Sequence, residues 1–409
     1  MKKNIIIVML TLLLAGCNTA EKPLSPGTFT RYPKANAELY KEIKKDLQIE
    51  DLFADINGID LQCVDLSQFD LRDYKEELFL ASFNSETVWP DDSQLPDSFK
   101  PKELMASAFK PSLGIDSIHQ LGIKGQNIGV AILDHILLCD HVEYKDNLKM
   151  YYEVNLNNLP DSYYISHYHG SAVTSIAAGQ NVGVAPEADI YYIYDYYSTS
   201  GRTEEDESAE LLAENIMRII EVNEQLPADN KIRVISYSSG IPDDNEVLNE
   251  AILKARENKI EFIYSGLFDD VFSGLRKLPY KDGDDIESFV PVTTELQRYQ
   301  NNHQRLAYID KIAVPFQGIT TAGASNTDDY VYYGAGGVSW AAPYLAGLYA
   351  LCCEVKTDMT LDEFINIADA TSVPYDFTYE GIEFHYSKVI QPEKMIESII
   401  NMVTVNEHE

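Results

Sequence analysis

From about residue 112 onward, short apolar runs alternate with amphipathic or small-residue stretches. The run 127–133, NIGVAIL, is a short apolar stretch with β-branched residues, the pattern of a buried parallel strand. HGSAVTSIAAG (169–179) reads as a closely packed small-residue helix, and ADIYYIYDYY (188–197) as a second strand. Thr203-Glu204-Glu205-Asp206 makes a capping start for the helix ESAELLAENIMRIIEVNEQ. KIRVISYSSG is a strand ending in turn residues, NEVLNEAILKARENK an amphipathic helix, IEFIYSG a strand and ITTAGASN a later one. This alternation predicts an α/β fold of three layers, a parallel sheet with helices on both faces. In such sheets, sites form at the carboxyl ends of the strands.

The flanks differ. Lys2 and Lys3 precede NIIIVMLTLLL, an apolar run too short to span a bilayer comfortably and typical of a signal peptide. It ends in Leu14-Ala15-Gly16-Cys17, which resembles the bacterial lipobox, where the cysteine is lipidated and becomes the first mature residue. Residues 1–17 are therefore expected to be a lipoprotein signal peptide, Cys17 the lipidation site, and the mature protein an extracytoplasmic lipoprotein held to a membrane. No later stretch reads as a membrane span. Residues 18–110 form a tether and N-terminal extension, with a polar start, a charged helical stretch after 36 and a linker-like Pro and Asp cluster near 90–101. Residues 111–409 form the main domain, and 356–409 reads as helical.

Composition narrows the partners. The chain has 409 residues and a formal charge of −33, which argues against nucleic acid, since phosphates are held by clustered Lys and Arg. Cys63, Cys139, Cys352 and Cys353 show no CxxC or zinc spacing, so neither a disulfide framework nor a structural metal is expected. The adjacent Cys352 and Cys353 read as small apolar packing residues.

Three residues at element boundaries carry chemistry. Asp134 follows the first strand, His169 opens the small-residue helix, and Ser339 opens GVSWAAPYLAG. Serine hydrolysis needs a hydroxyl, a base for its proton, and a carboxylate holding the imidazole in the right tautomer. A lone serine at a helix start reads as an N-cap, and His167 is a rival base. The chain order Asp, His, Ser distinguishes this set from other serine hydrolase orders.

The surrounding motifs resemble those of the subtilisin family, the subtilase serine peptidases. Gly337, Ser339, Ala341, Ala342, Pro343, Ala346 and Gly347 match the family's Gly-Thr-Ser-Met-Ala-Ala-Pro-His-Val-Ala-Gly. His169-Gly170-Ser171-Ala172-Val173 matches the histidine motif more loosely, and Gly183-Val184-Ala185-Pro186-Glu187-Ala188 fits Gly-Val-Ala-Pro-x-Ala. VAILDHILL keeps the strand and Asp134 but has His135-Ile136 for Thr-Gly, and His141-Val142-Glu143 resembles His-Pro-Glu. The resemblance covers roughly 112–355. It implies a subtilisin-like fold and a serine endopeptidase acting on polypeptides, with Ser339 as nucleophile, His169 as base and Asp134 orienting His169. It also maps Ser238, Ser239 and Gly240 onto the border of the substrate pocket. It implies no cofactor; the family often binds calcium, but no motif here places a metal ligand.

One departure bears on activity. The family's oxyanion asparagine follows a core strand as Ala-Gly-Asn, and here that place falls to Leu267, which cannot donate a hydrogen bond. Losing one such donor costs on the order of 10²–10³ in turnover. Ser265 is a candidate substitute, and the stretch 269–304 an insertion beside the site. A pseudoprotease that binds peptides, or an envelope lipoprotein without catalysis, are the alternatives. Residues 18–110 are read equally as a removable propeptide or as a permanent spacer.

Overall fold

In the computed structural model, residues 24–45, 47–53, 58–154, 165–195, 205–242 and 245–406 are described. The signal run, Cys17 and the Thr203-Glu204 capping pair lie outside the described residues.

In chain order, strand β1 (Ser82–Asn84) belongs to the N-terminal extension. The next five are β2 (Ile128–Leu133), β3 (Leu148–Val154), β4 (Asp189–Asp195), β5 (Lys231–Tyr237) and β6 (Glu261–Tyr264). They form one sheet in the order β3-β4-β2-β5-β6, and every pairing is parallel. The chain builds β3 and β4 on one side of β2, then crosses to β5 on the other. The end of β2 is thus a topological switch point, where a site is expected.

The alternation of side chains along β2 divides the core into two layers. Val130 and Ile132 join the cluster beneath helices Tyr168–Ala178 and Ala341–Val355. Ala131 and Leu133 join the opposite cluster, covered by helices Glu205–Gln225 and Glu246–Glu257. This is the expected three-layer α/β arrangement. Helix Ala341–Val355 is buried from Ala341 to Cys353 without an exposed face, as expected for a helix apolar all round. By length and composition alone 338–355 would pass as a membrane span, a likeness the sequence reading did not draw; the structure buries it within the protein. Cys352 and Cys353 are free, fully buried packing residues, as expected.

Small residues let this helix approach its neighbour. A Cβ on Gly347 would lie 2.7 Å from the Ala177 carbonyl oxygen and from Val184 Cβ. The Gly183-Val184-Ala185 turn runs alongside the same helix, its Val184 and Ala185 N–H groups donating to Ile176 and Ala177.

Other segments depart from the sequence reading. ITTAGASN does form a strand, β10 (Ile319–Ala322), but it follows β7 (Phe272–Lys277), β8 (Phe289–Pro291) and β9 (Leu306–Gln317) and stands outside the parallel sheet. It pairs antiparallel with β11 (Tyr330–Tyr333), which also pairs with β1. The C-terminal stretch, read as helical, contains a hairpin of β12 (Val373–Tyr379) and β13 (Ile382–Val389) between helices Leu361–Thr371 and Pro392–Asn406. That hairpin continues the insertion strands into a second sheet, β12-β13-β9-β7-β8. The presumed linker at 90–101 is packed: Leu95 and Phe99 are buried in a cluster with Phe83 and Tyr332.

Gly347→Val should force the two central helices apart and cost roughly 1–3 kcal/mol as overpacking. Urea unfolding of the two proteins checks this; an unchanged midpoint would mean the helices can yield.

Candidate active site

β2 ends at Leu133, and its carboxyl end delivers Asp134, 4% exposed. A buried carboxylate needs partners, and Asp134 has two: its Oδ1 accepts from the His135 backbone N–H at 2.7 Å and lies 2.7 Å from His169 Nδ1. His169 sits in the first turn of helix Tyr168–Ala178, whose N-cap His167 accepts the His169 N–H through Nδ1 at 3.2 Å. The bare Gly170 makes this approach possible. A Cβ there would lie 2.6 Å from both the His135 carbonyl oxygen and the Tyr192 hydroxyl. The Tyr192 hydroxyl also donates to that carbonyl.

The carboxylate fixes the tautomer. Nδ1 of His169 faces Asp134 and carries the proton, leaving Nε2 as the acceptor. Burial disfavours charge on His169, but the Asp134 charge and hydrogen bond outweigh it and raise its pKa above 6.5. Burial likewise opposes charge on Asp134, yet His169, with help from His135, holds its pKa below 3.8. The neighbouring imidazoles go the other way: burial lowers the pKa of His135, and pushes His167 down to about 3. His167 lacks a carboxylate and serves as the helix cap, whereas His169 is paired with Asp134.

Ser339 lies in a single 3₁₀ turn, Val338–Trp340, just ahead of helix Ala341–Val355. This refines the expectation that it opens the helix itself; Pro343 falls in the first helical turn, where its missing N–H is harmless. The next residue, Trp340, is 3% exposed and places its ring 5.1 Å from the His169 ring and 4.8 Å from that of Tyr333. Ser339 Oγ donates to the Ser238 carbonyl at 3.2 Å, and Ser238 Oγ donates to the Ser339 carbonyl at 2.9 Å. A hydroxyl has one proton, so while Ser339 donates to the Ser238 carbonyl it cannot donate to His169. Such looseness is ordinary for a site without substrate.

Ser238 is thus locked to the turn that bears Ser339, while Ser239 and Gly240 are exposed beyond it, with open space around Gly240. His141 and Glu143 are structural. His141 Nε2 meets the Asp329 carbonyl at 2.8 Å, and Glu143 accepts from the Asn181 and Val182 N–H groups. Leu267 begins a short helix, Leu267–Asp270, packed against the core. Ser265 donates its N–H to the carbonyls of Tyr237 and Ser239, and its Oγ is buried without a hydrogen-bond partner.

One positioning residue escaped the sequence reading. Gln317, 1% exposed, ends β9; its Nε2 donates to the Gly336 carbonyl at 2.5 Å and its Oε1 accepts the Thr293 N–H at 3.1 Å. It ties the loop before Ser339 to the second sheet. No local motif marks a lone glutamine at a strand end.

Asp134, His135 and His169 also bring ligand atoms within 4.8 Å of one another. Two imidazoles and one carboxylate are not the all-oxygen donor set that calcium takes.

A carboxylate-bound histidine at the end of a central parallel strand, with a serine at the mouth of a buried helix, is the group set of a serine hydrolase. Residues 125–266 match the family model described as Subtilase family, Peptidase S8, so this part of the chain is subtilase-like. The match includes Asp134 and His169 and ends before Ser339. Among solved structures, the chain is similar to "Structure of Prenylagaramide maturation protease PagA", at 18% identity and a TM-score of 0.45, over 70% of this chain and 98% of that one. No curated protein sequence matches the chain.

Removing the carboxylate should lower the His169 pKa, because Asp134 is what raises it. An imidazole NMR titration of wild type and Asp134→Asn is expected to place wild type above 6.5 and the variant below. Equal values would mean Asp134 does not control the base.

Proposed function

We propose that this protein is an extracytoplasmic serine endopeptidase tethered by lipid at Cys17. The observation that carries the catalytic reading is the buried 2.7 Å contact between Asp134 and His169, beside the turn that bears Ser339. Ser339 attacks the scissile carbonyl while His169 Nε2 takes its proton. Asp134 stabilises the imidazolium, which then protonates the leaving amine, and water releases the acyl group by the same route. Ser238, Ser239 and Gly240 border the bound polypeptide. The tether rests on Lys2, Lys3, the apolar run and Leu14-Ala15-Gly16-Cys17.

The N-terminal extension is read as a retained part of the enzyme, not a removed propeptide. β1 shares a sheet with β11, and Asn84 Nδ2 donates to Ser325 Oγ and Asp329 Oδ2, both at 3.1 Å. Leu267 favours a second reading, a peptide-binding pseudoprotease, because it removes the usual side-chain donor for the oxyanion.

A fluorophosphonate probe applied to membrane and soluble fractions separates these. Wild type is expected to label in the membrane fraction, Ser339→Ala to lose labelling, and Cys17→Ser to label in the soluble fraction. Folded wild type that does not label would sink the peptidase reading.

Ser265 is assigned the donor role, on its unpartnered buried hydroxyl next to the Ser238 strand end. With a cleavable peptide, Ser265→Ala should lower kcat on the order of 10² with KM little changed. An unaltered kcat would remove Ser265 from the mechanism.

A further inference from the structure

Away from the serine, β7 carries a buried charge without an anion to balance it. Arg276 is 5% exposed; its Nη2 donates to the Tyr379 hydroxyl at 3.0 Å, and its Nε is buried with no hydrogen-bond partner. Among the described residues no carboxylate forms an ion pair with it, whereas the buried Glu153 is paired with Arg31 and Asp134 with His169. The adjacent Lys277 is satisfied too, donating to the carbonyls of Ser107 and Lys281. A buried guanidinium left without an anion is strongly unfavourable, and an apolar residue of similar volume would serve a mere scaffold better.

Arg276 lines a cavity of about 550 Å³, within the range of small-ligand sites, roughly 300–1,000 Å³. The cavity lies where the N-terminal extension meets the second sheet, with Phe79, Tyr280 and Leu296 among its apolar walls. The exposed Lys75 and Lys281 add positive charge, opposed by the exposed Glu76 and Glu380. A net positive cavity stands out in a chain of charge −33. A guanidinium matches a carboxylate, which it can take through two parallel hydrogen bonds.

We propose that this cavity binds an apolar carboxylate, its charged end on Arg276 and its hydrocarbon or aromatic body against Phe79, Tyr280 and Leu296. Two sources share this chemistry: a free apolar carboxylic acid and the C-terminus of a hydrophobic peptide. The site is separate from the Ser339 cleft and stands whether or not the protein is a peptidase.

Calorimetry on the full chain in detergent tests it, with Ser339→Ala as background so that nothing is cleaved. The probes are 4-phenylbutyrate and its neutral amide, and acetyl-Leu-Phe with a free or an amidated C-terminus. At least one acid should bind tenfold or more tightly than its matched amide, and which acid does so assigns the source. Arg276→Met should abolish that preference, and Arg276→Lys keep part of it. Circular dichroism verifies that the variants are folded; the acid–amide comparison decides without them. Equal binding of acid and amide, no binding by any probe, or a preference that survives Arg276→Met overturns the proposal.

Discussion

The contact between Gly347 and the helix Tyr168–Ala178 is the constraint on which the site depends. Helix Ala341–Val355 is buried from Ala341 to Cys353, so its position is set chiefly by packing, and packing at interior density leaves little latitude. With Gly347 against Ala177 and Val184, the N-terminal ends of both helices lie together, and Trp340 meets the face of His169. Gly170 does the same at the other boundary, seating the histidine helix on the end of β2. The serine and histidine motifs are therefore packing motifs first. The small residues that make them recognisable are those that bring the chemistry within reach.

Electrostatics then separates the site's stability from its reactivity. His169 has a raised pKa, so its charged form adds stability below its unfolded value near 6.5, lost as pH rises through the higher folded value. Asp134 has a lowered pKa, so its contribution is present above about 3.8 and lost as pH falls through the lower folded value. The ion pair is complete only between those folded values. The proposed proton transfer from Ser339 needs neutral His169, hence pH above the raised value, where the pair no longer adds its stability. The neighbouring histidines shift the opposite way, burial lowering the pKa of His135 and pushing that of His167 down to about 3.

The legible parts of the sequence were those where residue type and packing coincide. β2 is a continuous apolar run, β4, β5 and β6 are apolar over most of their length, and helix Ala341–Val355 is rich in small apolar residues. The hairpin β12–β13 was missed although its signal was present. Its first strand alternates between half-buried and exposed positions, and Glu380 and Gly381 both take positive φ, as a tight hairpin turn requires. Helical segments on either side concealed that alternation. Gln317 and Arg276 were illegible for another reason. Their significance lies in partners far along the chain, the Gly336 carbonyl and the Tyr379 hydroxyl, and no spacing rule links such pairs.

The second sheet is therefore more than an insertion beside the cleft. Arg276 on β7 and Gln317 on β9 are register partners, on the far side of an irregularity in the ladder after Leu275. Irregularities of this kind re-aim side chains near functional sites. Here the two partners face different duties: Gln317 holds the loop before Ser339, and Arg276 lines the cavity. Thr293 connects them again, lining the same cavity and giving its N–H to Gln317. One rung of one sheet thus braces the loop before Ser339 and forms the wall of a pocket that Ser339 does not share. A substitution at Gln317 would loosen both at once, whereas one at Arg276 leaves the brace to Gly336 in place.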